Sequence, residues 1–190
     1  MTGVQTCALP IWAPDEPESA YVQRIISDSK EQAKQAAERG TNVHTALESW
    51  YEGVMHAEYV EHQMGTAEEV KNVFGDLNWS TEKSFAHKLG FGGKVDLHSR
   101  DGEGVVIDFK TKEFNDPSKV DAFDEHCMQL AAYRLGLGIP NARCANVFVS
   151  VTVPGMVVVK EWTQAELVRG WEMFNALRMF WFAKSGLEIK

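Results

Sequence analysis

Gly93-Lys94-Val95-Asp96, followed by Val106-Ile107-Asp108-Phe109-Lys110-Thr111, is the stretch that decides the fold. It reads as two adjacent strands, the first ending near an acid and the second carrying an acid and a lysine two positions apart. Residues i and i+2 of a strand share a face. Asp108 and Lys110 therefore point one way, and Val105, Ile107 and Phe109 the other. If the two segments pair as a hairpin, Asp96 can meet Asp108. Two carboxylates and an ammonium make a compact site for a hard divalent cation and a phosphodiester. Charges following the Val105-Val106-Ile107 run are costly to bury unless they pair or bind metal.

Outward from this pair, the pattern is helical before it and mixed after it. Tyr21, Ile25, Ile26, Ala33 and Ala37 predict a helix over about 19–39, with Gly40 as its stop. Thr41 is a suitable N-cap for a second helix over about 42–62, and a third, short helix is expected near 67–74. Three strands follow at 78–88, 92–99 and 104–110, with turns at Gly90, Gly92-Gly93 and Asp101-Gly102. A polar loop, a helix over 121–137, strands at 145–153 and 156–162, and a helix capped by Thr163 complete the chain. The expectation is a mixed α/β (α+β) fold, a central mixed sheet flanked by helices. Trp171, Phe174, Phe180 and Trp181 of the last helix could stack bases, but at helical spacing they read as core.

The chain has 190 residues, 44% hydrophobic, enough for one domain with a core. A net charge of −8 argues against a purely charge-driven nucleic-acid binder, though not against an enzyme that meets DNA through a groove and a bound cation. No apolar run approaches the roughly 20 residues of a membrane span, so no membrane partner is expected. Cys7, Cys127 and Cys144 fit no zinc or haem spacing and read as free thiols of a reducing, cytoplasmic compartment. Residues 1–11 resemble a translated sequencing adapter. On that reading residues 1–12 are non-native, and 13–190 form one domain that lacks an N-terminal piece.

Two further pairs and a single acid carry chemistry. His44 and Glu48 in Gly40-Thr41-x-x-His44-x-x-x-Glu48 share a helix face, as do Gln129 and Tyr133 in the helix after Lys110. A neutral imidazole can ligate metal, and Gln129 can donate and accept. Glu82, on the first strand, could orient the lysine or the metal shell.

Taken in order, Gly40-Thr41-x-x-His44-x-x-x-Glu48, Glu82, Gly93-x-x-Asp96, Asp108-x-Lys110-Thr111 and Gln129-x-x-x-Tyr133 resemble the RecB-like exonuclease branch of the PD-(D/E)XK nuclease superfamily. Phage exonucleases and the mitochondrial genome maintenance exonuclease belong to that branch. The likeness runs over about residues 38–162, and Val153-Pro154-Gly155 with Glu161-Trp162 is similar to phage members. It implies a restriction-endonuclease-like core and Mg²⁺-dependent hydrolysis of DNA, with Mn²⁺ able to substitute. Asp96, Asp108, His44 and the backbone carbonyl of Phe109 would hold metal. Asp96, Asp108 and Lys110 would be catalytic, Lys110 positioning or activating water, with Glu48, Glu82, Thr111, Gln129 and Tyr133 in support. The expected partner is DNA with single-stranded or frayed ends, in phage or bacterial recombination, repair or processing. Cys127 and Cys144 are too few for the four-cysteine iron–sulfur cluster of some relatives, so none is expected. A structure-selective endonuclease or Holliday-junction resolvase, and a non-catalytic DNA-binding module, are the rival readings.

Overall fold

The computed structural model describes Trp12 and residues 15–186. The resemblance of residues 1–11 to adapter sequence, and Cys7, lie outside them. The chain divides into two units at Arg39/Gly40. In the first, Trp12 stacks on Tyr21 with ring centroids 5.2 Å apart, and Arg24 pairs with Glu16 at 2.6 Å.

The second unit holds a five-stranded sheet. Its elements are the C-terminal part of α1 (Glu18–Tyr51), α2 (Val60–Phe74), β1 (Trp79–His87), β2 (Phe91–Ser99), β3 (Val105–Lys112), α3 (Asp124–Gly136), β4 (Arg143–Ser150), β5 (Val157–Trp162) and α4 (Gln164–Ser185). The strands lie side by side in chain order, and only β3–β4 is parallel. A parallel pair needs a crossover, and α3 supplies it. The fold is therefore the expected mixed α/β arrangement, with helices against both faces of a mixed sheet.

Strand alternation builds the two cores. Val105, Ile107 and Phe109 of β3 join Ala145, Val147 and Val149 of β4 against Val43, Leu47, Val70 and Phe74 of α1 and α2. Val106 and Cys144 face the other way, toward Cys127, Leu130 and Ala131 of α3 and Leu167 of α4. The split of β3 side chains matches the reading of its sequence. Thr163 caps α4 as expected, accepting from the Glu166 N–H while Glu166 reaches back to the Thr163 N–H at 2.7 Å.

The helical boundaries differ from expectation. Gly40 does not stop the first helix, and Thr41 is not an N-cap: α1 continues to Tyr51. A Cβ at Gly40 would lie 2.8 Å from Thr111 Oγ1, so this glycine marks where α1 comes close to β3. The helix ends instead near Gly53, which takes a left-handed conformation at φ 82° and returns its N–H to the Trp50 carbonyl at 3.0 Å. The next helix begins at Val60, earlier than the expected 67–74 segment.

Gly65 within α2 has a similar tertiary cause, because a Cβ there would meet the Gly155 carbonyl oxygen at 2.7 Å. Alanine is the better helix former by about 1 kcal/mol. Even so, Gly65→Ala is expected to destabilise the protein by about 1–3 kcal/mol, because backbone rather than a flexible side chain must yield. Urea unfolding checks the sign: a more stable variant would mean that the β4–β5 turn moves freely.

Candidate metal and phosphate site

The site forms where the sheet comes apart locally. β1–β2 pairing runs through Thr81↔Leu97 and resumes at Lys83↔Val95, skipping Glu82 opposite Asp96. On the other side, β2–β3 pairing ends at Leu97↔Ile107. Glu82 has φ 50°, a left-handed conformation uncommon for a residue with a side chain. Val95 and Leu97, two positions apart, consequently pack into opposite cores. Asp96 sits at this switch. Its Oδ2 accepts the Phe109 N–H at 2.8 Å, replacing the missing strand partner, and lies 3.0 Å from His44 Nε2.

His44 is held from both sides. Its Nδ1 is 3.2 Å from Glu48 Oε1 on the next helical turn. Its ring meets Phe109 edge-on at 5.9 Å. One donor atom each from His44, Glu48 and Asp96 lies within 4.8 Å of the others, so two carboxylate oxygens and an imidazole converge. That donor set suits a hard or borderline divalent cation.

The electrostatics of the cluster favour positive charge. Burial opposes a charged His44, but the hydrogen bond and charge of Asp96, with Glu48 and Asp108, outweigh it and raise its pKa. Burial pushes Glu48 up to about 7 against the pull of His44, and nearby Glu82 and Asp96 push the same way. The carboxylate charges of Asp96, Glu48 and Asp108 that favour a proton on His44 also attract a metal ion.

Asp108 and Lys110 form a second group, on the α3 side. Asp108, only 2% exposed, uses one oxygen for both Lys110 Nζ at 2.6 Å and Asn146 Nδ2 at 2.8 Å. Lys110 Nζ also donates to Gln129 Oε1 at 3.2 Å, and Gln129 Nε2 donates to the Tyr133 hydroxyl at 2.8 Å. Burial raises Asp108 to about 6; Lys110 opposes the rise, and the charge of Asp96 adds to it. The two acidic groups thus feel each other across the opened sheet. Asp108 nevertheless lies outside the set of three that converges on one point. This differs from a regular hairpin in which Asp96 and Asp108 face each other directly, because the break at Asp96 turns its carboxylate toward α1.

The remaining residues fall as follows. Phe109 takes part through its backbone N–H and its buried ring. Thr111 lies beside Gly40, where α1 crosses β3. Glu82 pairs with Lys94 across β1–β2 and stands near enough to Glu48 to raise it. Cys127 and Cys144 are free and buried. No helix among the described residues is long and apolar enough to cross a membrane.

Sequence reasoning missed Asn146 and Trp162 as parts of the site. Asn146 is fully buried and joins Asp108 to Trp162, whose Nε1 donates to Asn146 Oδ1 at 2.8 Å. The available signal was an amide inside Ala145-Asn146-Val147-Phe148, an otherwise apolar strand. Asn146→Ala leaves a buried carboxylate short of a donor and an indole N–H without an acceptor. It is expected to cost about 2–4 kcal/mol in denaturant unfolding near neutral pH, each orphaned group contributing about 1–3 kcal/mol. A loss well under about 1 kcal/mol would mean that water replaces both contacts.

No protein-family model matches the chain, and no curated protein matches it. The crystal structure of SSO0001 is similar at 21% identity, over 81% of this chain and 69% of that one, with a TM-score of 0.39.

Proposed function

We propose that the protein is a metal-dependent deoxyribonuclease that hydrolyses DNA phosphodiester bonds. The observation that carries this reading is the convergence of His44, Glu48 and Asp96 within 4.8 Å, beside the Asp108–Lys110 pair. The order and spacing of the same residues, with Gln129 and Tyr133, resemble the motifs of RecB-like nucleases and add to it.

The donors fit Mg²⁺ or Mn²⁺: Asp96 and Glu48 offer oxygens and His44 a nitrogen, with Asp108 near enough to add negative charge. When bound, such an ion supplies Lewis-acid stabilisation of phosphoryl oxygens and acidifies a water. His44 presents Nε2 toward Asp96 and Nδ1 toward Glu48, so the ring is held between the two carboxylates. Lys110 offers a fixed positive charge for a phosphate oxygen or for the attacking water. Asp108 holds that ammonium from one side and Gln129 from another, with Tyr133 bracing Gln129. Asn146 and Trp162 keep Asp108 in place. Above about pH 6, Asp108 is ionised and the Asp108–Lys110 pair is complete.

Action on single-stranded or frayed ends is favoured by the resemblance. Digestion of linear and circular single-stranded DNA with Mg²⁺ tests it. Linear substrate consumed with circles spared is the expected result. Cut circles would mean an endonuclease, and DNA bound but uncut with Mg²⁺ or Mn²⁺ would mean a non-catalytic module.

A further inference from the structure

A cleft of about 240 Å³ opens between the β1–β2 hairpin, α3 and α4. Its walls are aromatic: Phe85 and Phe91 from the hairpin, Tyr133 from α3 and Phe174 from α4. The rings brace one another, with centroids 5.2 Å apart for Phe91–Phe174, 6.0 Å for Phe85–Phe91 and 5.9 Å for Phe85–Tyr133. Glycine permits this packing, since a Cβ on Gly93 would come within 2.6 Å of the Tyr133 ring. Gln129 and Tyr133 belong both to this cleft and to the Asp108–Lys110 group. Gln129 lines the cleft, and its Oε1 accepts from Lys110 Nζ at 3.2 Å.

We propose that this cleft receives one unstacked nucleobase of a DNA strand whose neighbouring phosphate is held at Lys110. The inference rests on the nuclease reading and deepens it, because a base can enter only from a strand that is single or frayed there. The cavity falls below the roughly 300 Å³ at which drug-sized pockets begin, a size that suits one flat ring system. Aromatic faces stack any base, so the cleft would serve without sequence preference. Glu125 at the same cleft repels a phosphate from its interior yet leaves an acceptor for the amino edge of a base. On α4, Leu177 at the cleft is 56% exposed, and Phe180 and Trp181 beyond it are 63% and 53% exposed, which corrects the reading of these two aromatics as core. Leu177 also lines the cleft, so this apolar surface is continuous with it.

The test is an abasic scan. A short single-stranded deoxyoligonucleotide is bound to the full chain in Ca²⁺ buffer, and an abasic nucleotide is placed at each position in turn. In the unmodified protein, one position is expected to weaken binding about tenfold, the size of one lost stacking contact. Phe174→Leu, which keeps an apolar side chain but removes the ring, is expected to erase that position effect, and Phe174→Tyr to restore it. A flat scan in a protein that still cuts the oligonucleotide with Mg²⁺ overturns the cleft and leaves the nuclease reading standing. A position-dependent scan without any cutting keeps the cleft and removes the nuclease reading. No binding at all overturns the cleft. So does a change in sedimentation with Phe174→Leu at unaltered oligonucleotide affinity, because a second copy of the chain would then cover this face.

Discussion

Asp108→Asn is expected to lose DNA cleavage by about 100-fold or more, while the protein melts no lower than its parent at about pH 8. The two halves have separate causes. Asparagine can still accept from Lys110 and from Asn146, so the buried hydrogen bonds survive. What disappears is the negative charge that holds Lys110 and adds to the field around His44. Stability moves the other way. Burial raises the folded carboxyl to about 6, above its ordinary value of 3.8. In that window the folded state binds more protons than the unfolded one, so this group's contribution is present at low pH and fades as pH rises through 6. Keeping the ionised carboxylate buried near neutral pH therefore costs on the order of 3 kcal/mol. Asp108→Asn removes the cost, and its Tm should change less between acid and neutral pH than the parent's. A variant that loses activity only because it unfolds would contradict this. Lys110→Ala should abolish cleavage to a similar degree, with the fold retained by circular dichroism. It removes the one charge that opposes protonation of Asp108, whose pKa should climb further. Wild-type cleavage by either variant would refute the assignment.

Asp96→Ala has the second large effect, and it divides differently. The carboxylate holds His44 and also accepts the Phe109 N–H where β2 and β3 part. Alanine deletes both roles. Cleavage should fall about 100-fold or more, and stability by about 1–3 kcal/mol through an unpaired backbone N–H. Asp96→Asn keeps an acceptor for Phe109, so it should recover most of the stability and little of the activity. If Asp96→Asn and Asp96→Ala were equally unstable, the carboxylate's charge rather than its hydrogen bond would be holding β3.

Much of this arrangement was legible in the residues. Valine-rich runs and glycine turns placed the strands in order, and the period of two put Asp108 and Lys110 on one face of β3. The i,i+4 pairs His44–Glu48 and Gln129–Tyr133 do make direct contacts. What escaped the reading shares a cause: tertiary contact overrode a local rule. Gly40 looks like a helix stop, but it serves the approach of α1 to Thr111. Val95 and Leu97 should share a face, but β2 switches sides at Asp96, and nothing local in Lys94-Val95-Asp96-Leu97 signals the switch. Asn146 looks like a flaw in an apolar strand until Asp108 and Trp162 are seen on either side of it. Phe180 and Trp181 have the spacing of core residues, yet α4 carries them out to solvent.

Isothermal titration of Mn²⁺ into the full chain, repeated with Asp96→Asn and with His44→Ala, bears most directly on the central claim that these residues hold a divalent cation. The unmodified protein is expected to bind the ion with measurable heat and to pass it to Mg²⁺ in competition. Both variants should weaken binding at least about tenfold, as loss of a ligand or its support does. Absence of binding in the unmodified protein, or the same affinity in all three, would contradict the claim.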